Sequence, residues 1–170
     1  MTRKTTAAPI APVPADTRSP KGGKAAHEPL SMGALANIVG YHIAQAAVVT
    51  YDTFERYVGQ PFELKKVEYS LLLLLQANGP LSPKRLGQAL KLSPPMLTLL
   101  LDRLQERGLI ERQRSESDRR SQNIVLTTAG RRVADDSAAA AGPMEDELLD
   151  RLSRAERMML IELLRKVAGN

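Results

Sequence analysis

Two serine-proline pairs only eleven residues apart, Ser82-Pro83 and Ser93-Pro94, constrain this chain more than any other feature. Serine is a favoured helix N-cap, and proline fits the first helical position, where the N–H it lacks would have no intrahelical partner anyway. Each pair therefore marks a helix start. The first helix has room only for Pro83 to Leu90, because Lys91-Leu92 is all that separates it from the second signal. The second runs to Arg107, burying Leu97, Leu100, Leu101 and Leu104 at i, i+3, i+4 and i+7, and Gly108 supplies a left-handed C-terminal residue. Two capped helices with so short a link form the helix-turn-helix pattern.

Beyond Gly108 the period changes to two, setting Ile110 against Arg112 and Arg114, then Ile124 and Leu126 on one face with Val125 on the other. That is a β-hairpin. Its tip, Ser115-Glu116-Ser117-Asp118-Arg119-Arg120, is polar and turn-prone. A hairpin straight after a helix-turn-helix has the place of a wing. The stretch from Asp118 to Gly130 then leads two adjacent arginines into a strand and on into a further helix capped by Thr127 or Thr128. Gly142-Pro143 should kink or interrupt that helix, and Ser153-Arg154-Ala155-Glu156 is a capping box for a last helix bearing Met158, Met159, Ile161, Leu163 and Leu164.

Upstream, apolar residues from Met32 to Val58 fall in a three- and four-residue rhythm through Leu35, Ile38, Val39, His42, Ile43, Ala46, Val49, Phe54, Tyr57 and Val58. This predicts a long amphipathic helix stopped by Gly59 and Pro61. A second helix is expected from Lys65 to Ala77, with Leu71 to Leu75 buried all round and Asn78-Gly79-Pro80 breaking it. Residues 1–31 hold five of the eleven prolines and cannot bury enough apolar area to offset their ordering entropy, so they read as a disordered basic arm. Two roles stand for that arm: added phosphate affinity, or an inert leader.

Charge is distributed unevenly: +3 over residues 1–31, −1 over 32–81, +6 over 82–132 and −3 over 133–170. The positive excess falls on the helix-turn-helix and hairpin, which points toward nucleic acid. There is no cysteine, which excludes disulfides, cysteine-ligated metal and a thiol switch and fits a cytoplasmic protein. No apolar run approaches the ~20 residues of a membrane span, and the N-terminal segment lacks the ~7–15-residue apolar core of a secretory signal. No phosphate loop, zinc-binding His-Glu-x-x-His, nucleophile elbow or cysteine nucleophile is present, so no catalytic residue and no cofactor are expected. With two histidines, one of them in the arm, no metal site is expected either.

The chain resembles the MarR family of multiple-antibiotic-resistance regulators over roughly Leu35 to Val167. The text that carries the resemblance is Gly79-Pro80-Leu81-Ser82, Leu92-Ser93-Pro94, Asp102-Arg103-Leu104, Arg107-Gly108-Leu109, Asp118-Arg119-Arg120 and Leu126-Thr127-Thr128-Ala129-Gly130, in that order. The resemblance implies a homodimer built from the first and last helices, each subunit presenting a winged helix-turn-helix to double-stranded DNA, with repression as the family default. The expected fold is mainly α with a small β-hairpin wing: a winged helix-turn-helix domain plus a helical dimerisation region. The expected divisions are the arm (1–31), a first dimerisation helix region (32–64), the DNA-binding region (65–127) and C-terminal dimerisation helices (128–170). Apolar residues on the last helix fit a dimer face, and intramolecular packing is the alternative.

A recognition helix points its N-terminal residues at base edges in the major groove, and here these are Ser93, Pro95, Met96, Thr98 and Leu99. They are unusually apolar, and the family often has a basic residue where Leu99 stands. Leu99 is either turned inward to pack or, with Met96 and Thr98, placed against thymine methyl groups. Arg119 and Arg120 at the wing tip suit insertion into a narrow minor groove, where shape and potential are read. The family implies that one of them inserts while Asp118, with Asp102, holds the charged groups of the wing. Lys84, Arg85, Arg103, Arg112 and Arg114 are expected to position the protein on phosphates. By the same analogy a small aromatic or anionic effector releases such regulators from DNA. His42 and Tyr69 are the candidate contacts, the alternative for His42 being a satisfied core group. The competing function is a winged-helix protein-interaction module that does not bind DNA.

Overall fold

The computed structural model describes residues 30–114 and 122–169. The chain divides into two units, Met1–Asn37 and Ile38–Asn170, each described by itself. In the first, Gly33–Asn37 forms a short 3-10 turn. In the second, α1 spans Val39–Phe54, so the expected helix starts later than Met32.

Gly59 and Pro61 do not stop this helix. It passes through a π-helical segment, Glu55–Gly59, into the one-turn α2, Gln60–Phe62. The Gln60 N–H donates to the Glu55 carbonyl, one residue further back than in an α-helix. Proline disrupts a helix by losing an N–H and by pressing its ring on the carbonyl four residues back, and the wider π turn relieves that crowding at Pro61. The stop comes at Glu63, which adopts a left-handed conformation with φ 52°, while the Leu64 N–H returns to the Gly59 carbonyl at 3.0 Å.

Helix α3 covers Lys66–Asn78, and the Glu68 carboxylate accepts the Lys65 backbone N–H at 2.9 Å to close its first turn. Leu71, Leu72 and Leu75 are buried, but Leu73 and Leu74 are only half-buried. The expected all-round burial fails because α3 is packed by its neighbours α4, α6 and β2, which leave part of its circumference open. Helices α4, Pro83–Leu90, and α5, Pro94–Glu106, start at the two serine-proline pairs. The Ser82 hydroxyl accepts the Arg85 N–H at 3.4 Å, whereas the Ser93 hydroxyl makes no capping bond. Between them Lys91 takes a left-handed conformation, φ 52°, which turns the chain within the three-residue link Lys91-Leu92-Ser93.

Strands β1, Ile110–Arg114, and β2, Gln122–Leu126, pair antiparallel with Ile110 opposite Leu126 and Arg112 opposite Ile124. Leu81 adds an isolated bridge, exchanging two backbone hydrogen bonds with Ile124 at 2.8 and 3.1 Å. The loop that precedes α4 is thereby stitched to the base of the hairpin. Thr127 caps α6, Thr128–Ala139, by accepting the Gly130 N–H at 2.9 Å. Gly130 lies so close to the end of α5 that an added Cβ would stand 1.8 Å from the Leu109 carbonyl oxygen.

The break between α6 and α7, Ala141–Leu148, comes at Ala140 rather than at Gly142-Pro143. Pro143 has no N–H for the Ala139 carbonyl, so α6 closes its last turn just before it. Helix α8, Arg154–Ala168, opens on the expected capping box of Ser153 and Glu156 and ends at left-handed Gly169. The core joins Phe54 and Val58 to leucines of α3, α4 and α5 and to Ile110 and Ile124 of the hairpin. None of the described helices is long and apolar enough to cross a membrane.

Candidate nucleic-acid interface

Helix α5 is amphipathic in an unusual way. Leu97, Leu100, Leu101 and Leu104 are buried, as their spacing predicts, yet the outward face is also largely apolar. Met96 is 60% exposed and Leu99 68% exposed, so Leu99 is not the inward-packing residue that one sequence alternative made it. Pro94 and Pro95 offer no backbone N–H, the Leu97 N–H is taken by the Ser93 carbonyl, and the Thr98 hydroxyl donates to the Pro94 carbonyl at 3.0 Å. Ser93, Pro95 and Thr98 are all exposed beside Met96 and Leu99. The face expected to meet base edges is therefore assembled, and it carries few donors.

Around it the cations differ in how they are held. Lys84 and Arg85 are exposed on the first turn of α4, and Arg114 is exposed at the far end of β1. Arg112 is held: its guanidinium donates to Asp102 and, at 3.2 Å, to Gln105, so β1 is tied to α5. Asp102 thus does secure a charged group of the wing, though that group is Arg112. Arg103 also has a protein partner, donating to Glu68 at 3.2 Å. Asp118, Arg119 and Arg120 lie outside the described residues.

Sequence reasoning missed the joint behind this face. Glu68 is buried, its side chain 2% exposed, and Arg107 stands 3.5 Å from its second oxygen. Arg107 also donates to the carbonyls of Glu63 at 2.8 Å and Phe62 at 3.3 Å. The end of α2, the start of α3 and the C-terminal half of α5 are thus fixed to one another through three side chains. Lysine at position 65 gives Glu68 no capping-box signature, and nothing local pairs it with arginines 35 and 39 residues away.

A cavity of about 680 Å3 opens between α4 and α5. Lys84 and Arg112 stand on its wall together with the apolar Leu92, Pro94, Leu97 and Leu101. Neither His42 nor Tyr69 lines it. His42 is exposed on α1, edge-on to Tyr41 with centroids 5.5 Å apart, and so is no core group within the described chain. Tyr69 is half-buried against Phe54, ring centroids 5.7 Å apart, and burial, with Glu145 nearby, pushes its phenol pKa up.

A second cluster joins the π segment to α7. The Tyr57 hydroxyl donates to Glu147 at 2.7 Å and Arg56 forms a two-pronged pair with the same carboxylate. Hydrogen bonds from Arg56 and then Tyr57 hold the Glu147 carboxyl below its ordinary pKa. Apolar side chains stay uncovered on two helices among the described residues: Val39, Ile43 and Val49 along one face of α1, with Val48 opposite, and Met158, Met159, Ile161, Leu163, Leu164 and Val167 around most of α8, a helix with no buried residue.

A family model described as MarR family matches residues 64–122. A protein of Thauera aromatica described as a putative transcriptional regulatory protein for the hcr operon is 27% identical over 135 residues, covering 79% of this chain and 81% of that relative. The solved structure of the transcriptional repressor CouR bound to a 23-mer DNA duplex is 33% identical, with a TM-score of 0.76 over 83% of this chain and 99% of that one. The structure of Bordetella bronchiseptica BpsR, described with regulation of its DNA binding by 6-hydroxynicotinic acid, shares the fold at 22% identity and a TM-score of 0.73, covering 84% of this chain and 99% of that one.

Proposed function

This chain belongs to the MarR family of transcriptional regulators, and on that premise we propose that it is an effector-responsive repressor binding a pseudo-palindromic operator as a homodimer. The observation that carries this reading is the exposed N-terminal face of α5, set beside exposed Lys84 and Arg85 on α4. A helix so placed enters the major groove while the flanking cations neutralise phosphates and fix register. Ser93, Pro95, Met96, Thr98 and Leu99 face the bases. Lys84, Arg85 and Arg114 take phosphates, and Arg119 and Arg120 at the wing tip enter the minor groove with Asp118 steadying them. Arg112 and Arg103, each held by a carboxylate, position the wing and α5 and meet phosphate secondarily.

The uncovered apolar faces of α1 and α8 support dimerisation, since exposed surface of that kind marks an interaction site. A two-fold axis then sets the two α5 helices against half-sites about 34–36 Å apart, one turn of duplex. For the effector, the cavity between α4 and α5 supports an anion with an apolar body: Lys84 supplies the charge, Arg112 being already paired with Asp102, and leucines supply the wall. Occupancy there would compete with operator for Lys84. His42 and Tyr69 belong to a different part of the chain and stand as an alternative effector contact.

Selection from random duplex DNA, followed by gel-shift titration at two salt concentrations, tests the reading. The expected result is an enriched inverted repeat, more than tenfold weaker binding by Arg119→Ala, and a flatter salt slope for Lys84→Ala. Failure to enrich any sequence would favour the protein-interaction module instead.

A further inference from the structure

The apolar outward face of α5 invites a question of specificity: what can a helix with so few donors read? We infer that Met96 and Leu99 read the operator by packing on the 5-methyl groups of thymine, so that affinity depends on those methyls. This rests on the DNA-binding role proposed above and goes beyond it by naming the chemical group recognised.

The inventory leaves little else. Sequence is read in the major groove by hydrogen-bond donors and acceptors and by one apolar group, the thymine methyl. On the first turn of α5, Pro94 and Pro95 carry no N–H and the Leu97 N–H is bonded to the Ser93 carbonyl. The Thr98 proton is committed to the Pro94 carbonyl at 3.0 Å. Of the nearby arginines, Arg103 is drawn to Glu68 and Arg112 to Asp102, while exposed Lys84, Arg85 and Arg114 are the cations assigned above to phosphate. Beside the uncapped hydroxyl of Ser93, what projects is Met96 and Leu99, each more than half exposed and three residues apart, hence on one face of the helix.

Their spacing suits the target. Three residues advance about 4.5 Å along a helix, against about 3.4 Å per base step, so the two side chains span neighbouring steps. An unbranched methionine adapts to a methyl whose position varies with local twist, while leucine is stiffer. Guanine and cytosine carry no methyl here, and burying a leucine on their hydrogen-bonding groups would strand those groups without partners.

The test replaces thymine with deoxyuridine, which keeps base pairing and removes only the methyl. With the selected operator, single deoxyuridine substitutions should weaken the full-length protein about fourfold at each contacted position, roughly the 0.8 kcal/mol of one buried methyl. Leu99→Ala and Met96→Ala, both at exposed positions, should keep their folding and lose sensitivity to one position each. A wild-type protein indifferent to deoxyuridine at every position would overturn the inference while leaving operator binding intact. So would alanine variants that remain as sensitive as the wild type. Failure to bind any selected DNA would remove both the inference and the function it rests on.

Discussion

Replacing Glu68 strikes the joint between the reading helix and the rest of the fold, and the size of the effect can be worked out from its contacts. The carboxylate accepts the Lys65 N–H at 2.9 Å, pairs with Arg103 at 3.2 Å and stands 3.5 Å from Arg107. Loss of the helix cap costs about 1 kcal/mol. The charge-assisted bond to Arg103 is worth about 1.5–3 kcal/mol. Arg103 and Arg107 are 49% and 30% exposed, so the orphaned guanidinium groups return to water. The loss of about 3–5 kcal/mol from breaking a fully buried pair is therefore an upper limit here. Arg107 also keeps its bonds to the Phe62 and Glu63 carbonyls, which limits the damage further. Glu68→Ala should thus lose about 3 kcal/mol, or about 10 °C in Tm at roughly 3 °C per kcal/mol. Glu68→Gln keeps the cap acceptor and the shape and should lose about half as much. Denaturant unfolding at one fixed protein concentration, with gel shift as a second readout, measures both variants. An alanine variant that loses less than about 1 kcal/mol would refute the ion-pair reasoning, as would a glutamine variant that matches it.

Gly130→Ala must displace the Leu109 carbonyl, since its Cβ would lie 1.8 Å away, and should cost at least about 3 kcal/mol, the upper end of ordinary overpacking; an unchanged Tm would contradict the close approach. Glu147 has a depressed pKa in the folded state, so its contribution is present above the ordinary glutamate value of about 4.3 and is lost as pH falls through the folded value. The stability gap between wild type and Glu147→Gln should therefore be constant near neutrality and close in acid; a gap that is flat across that range counts against the Arg56–Glu147 pairing. Leu164→Asp places a charge on the exposed face of α8 and should convert a dimer into a monomer in sedimentation, with operator affinity falling at least tenfold. A titration of the operator complex with an aromatic carboxylate should release DNA from wild type and require more ligand for Lys84→Ala; equal release would separate the cavity from effector binding.

The helix-turn-helix was legible because its signals are local: each serine-proline pair fixes its own helix start, and a left-handed residue closes the link. The hairpin was legible from the alternation of Ile124, Val125 and Leu126, but Ile110 is not set against Arg112: the two share a face, with Arg112 opposite Ile124 in the register. What escaped depended on groups distant in sequence or on bonding alternatives a pattern does not encode. Leu99 had the right spacing for either face, and only the packing of Leu97, Leu100 and Leu101 decides that it points outward. Glu68 carried no local signal, because the partners that give it its role, Arg103 and Arg107, are brought in by the fold. Gly59 and Pro61 are helix breakers by propensity, but a change of hydrogen-bond register accommodates them.

That change of register also sets a phase. Each α-helical residue turns the chain by roughly 100° and advances it by about 1.5 Å. The π segment at Glu55–Gly59 holds one residue more than the α geometry would, between the apolar face of α1 and the joint at Glu63. Deleting a single residue there would restore ordinary bonding and leave both the apolar stripe of α1 and the reading head chemically intact. Because the wider turn absorbs that residue, the two keep nearly the same phase with or without it. A deletion in the regular turns of α1 has no such refuge: it would rotate one against the other by roughly 100°, and a dimer assembled on that stripe would aim its two recognition helices away from a shared groove.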